Sequence, residues 1–208
     1  EGTGSTAYDI VNSNDGTIQE IKKIKKRDRR IEIIIRKNKV GVGSAHKEGL
    51  MYSYKKKFDV AVTLDADGTH NPYVIPKMIK YIKFYDLVIT NRFKYRNALK
   101  NWHWTRKYLT LFRFYLINIL LNINYDTSGA FRIYNLSTIK KKDIMLAKNN
   151  SYSFFWESTY FLNKKKYKIK EIPIILPYRK IGVSKMKIFD VFSALNYLIF
   201  FSIKRFFL

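Results

Sequence analysis

The first half of the chain alternates short apolar runs with longer segments that mix apolar and charged residues. Short apolar runs bounded by turn residues predict buried strands, and the longer mixed segments predict helices. The predicted strands cover residues 8–11, 31–36, 59–64 and 86–90, and the predicted helices cover residues 18–29, 45–57 and 72–84. This alternation predicts an α/β fold with a mostly parallel sheet, whose functional residues lie at the carboxyl ends of its strands.

The second half is richer in helix and ends in an apolar segment. Predicted helices cover residues 99–122, 136–147 and 154–163, and further strands cover residues 131–134 and 169–176. Residues 1–187 are interpreted as one domain and residues 188–208 as a C-terminal helix. The uncharged part of that helix, Val191–Ile203, is shorter than the roughly 20 residues that span a bilayer. It therefore predicts an interfacial helix or half of a membrane hairpin, with an ordinary core helix as the alternative.

Composition adds a strong positive charge to this outline. The chain has 40 Lys and Arg against 16 Asp and Glu, a formal net charge of +24, together with 16 Tyr and 15 Phe. Such a field attracts nucleic acid, anionic lipid headgroups or phosphorylated substrates. No recognised nucleic-acid module is visible, which disfavours a nucleic-acid binder. The absence of Cys excludes disulfides and thiolate chemistry. The N-terminal residues do not resemble a signal peptide, so we expect the chain to face the cytosol.

Two carboxylates follow the strand predicted at 59–64. Asp65 and Asp67 are one residue apart, and Gly68 and Pro72 end the extended segment. In an extended chain, residues i and i+2 point the same way, so both carboxylates would reach beyond the sheet edge. Hard oxygen donors of this kind suit Mg²⁺ or Mn²⁺ that also holds substrate phosphates. The alternative is a turn that Asp65 caps, because Asp and Gly are common turn residues.

Five motifs occur in one order along the chain. They cover Asn12–Thr17, Asn38–Ala45, Asp65–Pro72, Asp126–Tyr134 and Glu171–Lys185. In this order and spacing they resemble the family-2 inverting glycosyltransferases with the GT-A fold, and within these the dolichol-phosphate or polyprenyl-phosphate mannose synthases. The resemblance covers most of the chain, from about Asn12 to Lys187. It implies a Rossmann-like GT-A domain, in which a mostly parallel sheet is flanked by helices.

The resemblance also implies a role for individual residues. Asp65 and Asp67 match the family's DxD motif, which holds a Mg²⁺ or Mn²⁺ ion that bridges the donor diphosphate. The residues implied to bind the donor and its nucleotide are Asp15, Asn38, Gly41, Asp65, Asp67, Arg179, Ser184 and Lys185. The residues implied to bind the acceptor are Arg92, Arg106, Asp126, Ser128 and Arg132. The residues implied to act in catalysis are Asp67, Arg92, Arg179 and Lys185. Arg is well suited to such sites because its guanidinium grips phosphate through two parallel hydrogen bonds.

The activity implied is transfer of a hexose, with mannose from GDP-mannose favoured, onto a polyprenyl or dolichyl phosphate. A UDP-glucose-dependent enzyme is one alternative. Another is a truncated, catalytically inactive scaffold subunit, because the family's opening strand and Pro-x-Tyr-Asn-Glu-like loop are absent and Ile10-Val11 replace two expected aspartates. The implied partners are the nucleotide-sugar, the lipid phosphate, a membrane surface and small anchoring subunits. The implied location is the cytosolic face of the endoplasmic reticulum in a eukaryote or of the plasma membrane in a prokaryote.

Overall fold

The strands form two sheets that contain both parallel and antiparallel pairs. The computed structural model describes residues 6–11, 16–36, 38, 40–95, 98–99, 102–177 and 188–205. The strands are β1 (Thr6–Val11), β2 (Ile31–Arg36), β3 (Val60–Thr63), β4 (Leu87–Asn91), β5 (Arg132–Asn135) and β6 (Ile169–Pro173). β1 and β2 pair in parallel, and the other four strands form a sheet in the order β3-β5-β4-β6.

Helices connect most of these strands, as the sequence pattern predicts. They are α1 (Thr17–Arg27), α2 (Val42–Lys55), α3 (Ile75–Ile82), α4 (Trp104–Leu121), α5 (Lys141–Ile144), α6 (Ser153–Lys164) and α7 (Ile188–Lys204). A short 3₁₀ helix, Pro72–Val74, precedes α3. The helix predicted over residues 136–147 is mostly wrong, because the segment turns directly after β5 and only α5 is helical.

The prediction of a mostly parallel sheet is wrong for the four-stranded sheet, which is mixed. β5 runs antiparallel to both β3 and β4, whereas β4 and β6 are parallel. The helix between β4 and β5 packs against α7, and its residues cluster with those of α6. β4 and β5 are antiparallel neighbours, so the connection that contains α4 is not the crossover that parallel neighbours require. The start of β5 therefore lies at the same edge as the carboxyl ends of β3 and β4.

Three apolar clusters hold these layers together. One lies between the sheet, α2 and α6 and includes Leu50, Tyr134 and Phe154. A second lies on the α3 side of the sheet, around Met78 and Phe131. β4 is buried along its whole length, which is expected for a strand covered on both faces.

The third cluster joins α4, α6 and α7. Leu198 and Phe201 of α7 are buried there against Trp156, so the C-terminal helix packs onto the domain through one face. Within the described residues, no helix is both long and apolar enough to cross a bilayer. The inner face of α7 thus packs as the alternative, an ordinary core helix, would, while its outer face is exposed. The favoured expectation of an interfacial helix stays a prediction.

Two glycines of α2 differ sharply in their surroundings and give a test of this packing. A Cβ atom on Gly43 would lie 2.5 Å from Phe154 Cβ and 2.6 Å from the Ser151 carbonyl oxygen, whereas one on Gly49 would meet nothing within 4 Å. We expect Gly49→Ala to stabilise the protein by about 0.5–1 kcal/mol, because Ala is the better helix former. We expect Gly43→Ala to destabilise it by about 1–3 kcal/mol through overpacking.

Urea unfolding of both variants beside the parent provides the measurement. A Gly43→Ala variant as stable as Gly49→Ala would contradict the close packing of α2 on the start of α6.

Candidate active site

Polar side chains from three strand ends meet at one edge of the four-stranded sheet. Asp65 and Asp67 follow β3, Arg92 follows β4, and residues 126–128 precede β5. The antiparallel direction of β5 places its beginning at this edge. The segments that follow β3 and β4 and the segment that precedes β5 therefore lie at the same edge, and hydrogen bonds between Arg92 and Asp126 join two of them directly.

A buried ion pair lies at the centre of this site. Arg92 Nε and Nη2 donate to the two carboxylate oxygens of Asp126, each at 3.0 Å, and the Arg92 backbone N–H donates to Asp126 Oδ2 at 3.0 Å. Nη2 also donates to Ser128 Oγ, and Ser128 in turn donates to Asp126 at 3.0 Å. The described residues provide no acceptor for Nη1 of Arg92, which leaves two N–H groups for a ligand.

The pair keeps both groups ionised despite their burial. Burial by itself would lower the pKa of Arg92. The charge and hydrogen bonds of Asp126 have the larger effect, so the pKa of Arg92 is raised. Burial would likewise raise the pKa of Asp126, but the charge and hydrogen bonds of Arg92 lower it. Asp126 therefore orients the guanidinium of Arg92.

A second carboxylate, Glu171 of β6, fixes the base of the site. Its Oε1 accepts the Asp126 backbone N–H at 2.7 Å and the Asn91 side-chain amide at 2.8 Å, and its Oε2 pairs with Lys94 Nζ at 2.8 Å. Asn91 Oδ1 then accepts the backbone N–H groups of Phe93 and Lys94. Sequence reasoning quoted Glu171 within a motif but gave it no role, and it did not identify Asn91.

The loop that carries Asp65 and Asp67 is ordered by its own side chains. Asp67 Oδ1 accepts both the backbone N–H and the hydroxyl of Thr69, at 3.1 and 2.6 Å. His70 Nδ1 accepts the Asp65 backbone N–H at 2.9 Å, and its ring lies 5.2 Å from that of Phe131. Burial lowers the pKa of His70, against the pull of the two carboxylates, so the ring is neutral at pH 7. His70 thus has a structural position beneath the loop.

The DxD loop suits a divalent ion that shares its coordination with substrate. Among the described residues, no group of three or more His, Cys, Asp or Glu side chains could enclose a metal. Two carboxylates beyond a strand end match the incomplete protein ligation that Mg²⁺ accepts, since this ion usually keeps waters and substrate phosphates. The residues present therefore fit a metal held jointly with a donor diphosphate.

Arg132 does not have the acceptor-binding position that sequence reasoning assigned to it. The side chain is fully buried, and all five of its N–H donors have partners within the protein. The acceptors are the backbone oxygens of Gly129, Thr127 and Phe155 and the hydroxyls of Ser158 and Thr159. Arg132 therefore joins the 126–129 loop to α6 from within the core and has no donor left for a phosphate.

Gly41 directly precedes α2 and is surrounded by protein, whereas Asn38 lies earlier, between β2 and α2. Gly41 has φ +114°, and an added Cβ would come within 2.3 Å of the Asn150 carbonyl oxygen. That oxygen also accepts the backbone N–H of Ser44 at 3.0 Å. Close backbone packing accounts for Gly41, whereas Asn38 is exposed. Their assignment to donor binding stays a prediction.

α4 contains two arginines, Arg106 and Arg113. Arg106 lies over the Trp102 ring at 4.1 Å from its centroid. Arg113, which sequence reasoning missed, lies two turns later on the same face of the helix, and its electrostatic neighbours include Arg92, Asp126 and Arg106. The pKa of Arg113 is lowered to about 10, mainly because the side chain is buried and secondly because Arg92 is also positively charged. The seven-residue spacing from Arg106 was the sequence signal that could have revealed it.

Four of the predicted donor-site residues lie outside the described residues. They are Asp15, Arg179, Ser184 and Lys185. Their roles remain predictions. The described structure thus brings together Asp65, Arg92, Asp126 and Ser128, with Asp67 on the same loop as Asp65.

The Arg92–Asp126 pair can be tested against an exposed pair of the same geometry. Arg30 also binds both oxygens of Asp28, at 3.0 and 2.7 Å, but its side chain is 70% exposed. We expect Asp126→Asn to lower the free energy of unfolding by about 3–5 kcal/mol, because it leaves a buried guanidinium without its counter-charge. Asp28→Asn should change stability little, since solvent screens that pair.

A double-mutant cycle with Arg92→Met, measured by urea unfolding, isolates the coupling. If the effects of Arg92→Met and Asp126→Asn simply add, the two groups do not depend on one another as the structure indicates.

Comparison with known proteins agrees with the sequence resemblance. Residues 12–142 match the family model described as "Glycosyl transferase family 2". The chain is 29% identical over 160 residues to "Undecaprenyl-phosphate mannosyltransferase" of Micrococcus luteus, covering 76% of this chain and 66% of that protein. It is 27% identical over 159 residues to "Polyprenol monophosphomannose synthase" of Mycolicibacterium smegmatis, covering 76% of this chain and 60% of that protein. The chain thus spans a little under two thirds of the length of these relatives.

A solved structure from Desulfovibrio desulfuricans G20, described as a nucleotide-diphospho-sugar transferase, matches with a TM-score of 0.49 at 9% identity, covering 94% of this chain and 75% of that one.

The family model covers more than half of the chain, and its residues include the DxD loop, Arg92 and the 126–132 segment. The chain belongs to glycosyl transferase family 2.

Proposed function

We propose that the protein is an inverting glycosyltransferase that moves a hexose from a nucleotide-sugar onto a polyprenyl phosphate, with mannose from GDP-mannose as the favoured donor. The observation that carries the proposal is that the DxD loop and the Arg92–Asp126 pair lie at the same edge of the four-stranded sheet. This arrangement offers anionic ligands for a donor-bound cation beside a cation for the acceptor phosphate. The names of the two relatives, a mannosyltransferase and a mannose synthase, support the same substrate class.

The acceptor phosphate needs little help to react. A phosphate oxygen of the lipid attacks the anomeric carbon as the bond to the departing nucleoside diphosphate breaks, which inverts the configuration. Because the phosphate is already an anion, no strong general base is required. Arg92 would hold it through the Nη1 donors, while Asp126 keeps the guanidinium in place. Positioning of this kind can supply much of the rate acceleration.

The buried carboxylates Glu171 and Glu157 have structural partners, in keeping with this mechanism. Glu171 is paired with Lys94 and with backbone and amide donors. Glu157 of α6 accepts the backbone N–H groups of Lys148 and Asn149 and the hydroxyl of Tyr197. Each of these carboxylates therefore positions neighbouring segments and is poorly placed to remove a proton.

Asp65 and Asp67 would hold Mg²⁺ or Mn²⁺ together with the donor diphosphate. Such an ion neutralises the charge that develops on the leaving nucleoside diphosphate. Arg179, Ser184 and Lys185 would complete the donor site, as the family resemblance implies. The proposed location is the cytosolic face of a membrane, where a polyprenyl phosphate is available.

The proposal is tested by transfer of radiolabelled sugar to a short polyprenyl phosphate in detergent. We expect labelled lipid from GDP-mannose with Mn²⁺ or Mg²⁺ and much less from UDP-glucose. Preferential use of UDP-glucose would show that the transferred sugar is glucose and not mannose. No transfer from either donor would favour an inactive scaffold subunit.

The same assay distinguishes Arg106 from its neighbour. Arg106→Ala should lower kcat/KM for the lipid phosphate by about 10–100-fold, because a charge-assisted hydrogen bond contributes about 1.5–3 kcal/mol. Lys107→Ala removes an equal charge from the same turn and should leave kcat/KM nearly unchanged. Equal losses in the two variants would show that the reaction depends on the overall positive charge and not on a specific contact of Arg106.

A second prediction concerns metal-dependent donor binding. Asp67→Ala should abolish the Mn²⁺-dependent part of GDP-mannose binding measured by isothermal titration calorimetry, because it removes one of two cation ligands. Asp59→Asn serves as the control, since Asp59 is an exposed carboxylate just before the opposite end of β3. Unchanged Mn²⁺ dependence in Asp67→Ala would show that the metal lies elsewhere.

A further inference from the structure

Arg113 lies on the side of α4 that turns toward the rest of the domain. It follows Thr110 by three residues and precedes Ile117 by four, so the three side chains share one side of the helix. Ile117 is 2% exposed and packs with residues of α6 and α7, whereas Phe112, on the outer side, is 63% exposed. The helix thus directs a permanently charged side chain inward, although a position on the outer side would keep it hydrated.

A pair of aromatic rings packs this part of α4 against the segment that follows β4. The ring centroids of Phe114 and Phe93 are 4.3 Å apart, and the guanidinium carbon of Arg92 lies 5.5 Å from the centroid of the Phe93 ring. Arg113 precedes Phe114 directly, and the charges of Arg92 and Asp126 both act on it. The ring pair therefore brings the part of α4 that carries Arg113 to the strand end that carries the buried ion pair.

Arg113 has neither an ion pair nor a hydrogen-bond acceptor within the part of the chain that the structure describes. Its carboxylate neighbour Asp126 binds Arg92 through both oxygens. Among the described residues, the only fully enclosed side-chain nitrogen or oxygen without a partner is Tyr134 Oη. The guanidinium nitrogens of Arg113 therefore reach space that a ligand can enter, and they offer it five N–H donors.

A guanidinium in this position makes the folded protein less stable. Its pKa is lowered to about 10, mainly by burial and secondly by the positive charge of Arg92. A lowered pKa in a cationic group means that folding disfavours the charged form, so the charge opposes folding. A charged side chain that opposes folding and pairs with no group of the protein is typical of a binding site, where a ligand supplies the opposite charge.

We infer that Arg113 binds the phosphate of the acceptor and supplies the positive charge that neutralises it. This inference rests on the proposed function and deepens it, because the family resemblance gives Arg113 no role. The charged neighbours of Arg113, which are Arg92, Asp126 and Arg106, are all residues implied to bind the acceptor.

The charges at the site explain why a further arginine is needed. A phosphate monoester carries a charge of about −1.5 to −2 at pH 7. Asp126 already cancels the charge of Arg92, which can therefore offer the phosphate hydrogen bonds from Nη1 but little net charge. The charge of Arg113 is not cancelled by any carboxylate of the described residues. Arg92 thus orients the phosphate, and Arg113 provides its counter-charge.

Calorimetric titration with citronellyl phosphate, a short isoprenoid phosphate monoester, measures this role without a sugar donor. We expect Arg113→Gln to weaken binding by about 10–100-fold, because it removes a charge-assisted hydrogen bond. Arg113→Lys keeps the charge but not the two-pronged guanidinium, so it should weaken binding less. Lys107→Gln removes an exposed charge from the same helix and should change binding less than twofold.

Thermal unfolding without ligand distinguishes a binding role from a structural one. We expect Arg113→Gln to raise the melting temperature by about 2–4 °C, because it removes a charge that opposes folding. An arginine that served only to hold the fold together would lower the melting temperature when removed. Saturating citronellyl phosphate should raise the melting temperature of the parent more than that of Arg113→Gln.

Equal affinity of Arg113→Gln and the parent for citronellyl phosphate would overturn the inference, as would equal losses in Arg113→Gln and Lys107→Gln or no binding by the parent. A lower melting temperature in Arg113→Gln would also contradict it. Weaker binding of GDP-mannose with unchanged binding of citronellyl phosphate would assign Arg113 to the donor instead. If citronellyl phosphate binding depends on Arg113 but the parent transfers no sugar, the proposed function fails while the assignment of Arg113 stands.

Discussion

The site depends on one constraint, that a guanidinium removed from water must keep a counter-charge. Arg92 is buried at the end of β4, and only Asp126 binds its guanidinium through both carboxylate oxygens among the described residues. Asp126 is held in turn by Glu171 through its backbone N–H. Three segments that are distant in sequence are therefore locked together, because moving any one of them would leave a buried charge or donor without a partner.

The antiparallel direction of β5 makes this arrangement possible. A parallel β5 would begin at the opposite edge of the sheet, and residues 126–128 would lie far from the end of β4. α4, which lies between β4 and β5 in the chain, packs with α6 and α7. Its other side carries exposed aromatic and aliphatic side chains.

The proposed glycosyl transfer to a lipid phosphate would make two physical demands on this arrangement. A donor diphosphate and an acceptor phosphate are both anions, and they must approach each other closely. The DxD loop and the arginines at the adjoining strand and helix offer separate positions for countering the two charges. The acceptor also carries a long apolar chain, which stays in the bilayer if the protein docks through a surface next to those arginines.

The sequence alone was sufficient to predict most strands and helices and the positions of Asp65 and Arg92 directly after two strands. These features depend on neighbours along the chain, such as an apolar run ending in Asp65 or in Arg92. Tertiary structure decided the partner of Asp126, the internal role of Arg132 and the mixed sheet. It also explained Gly43, whose missing side chain makes room for Phe154. Each of these outcomes depends on contacts between segments far apart in sequence, and residue spacing along one segment carries no information about which distant group will fill a buried site.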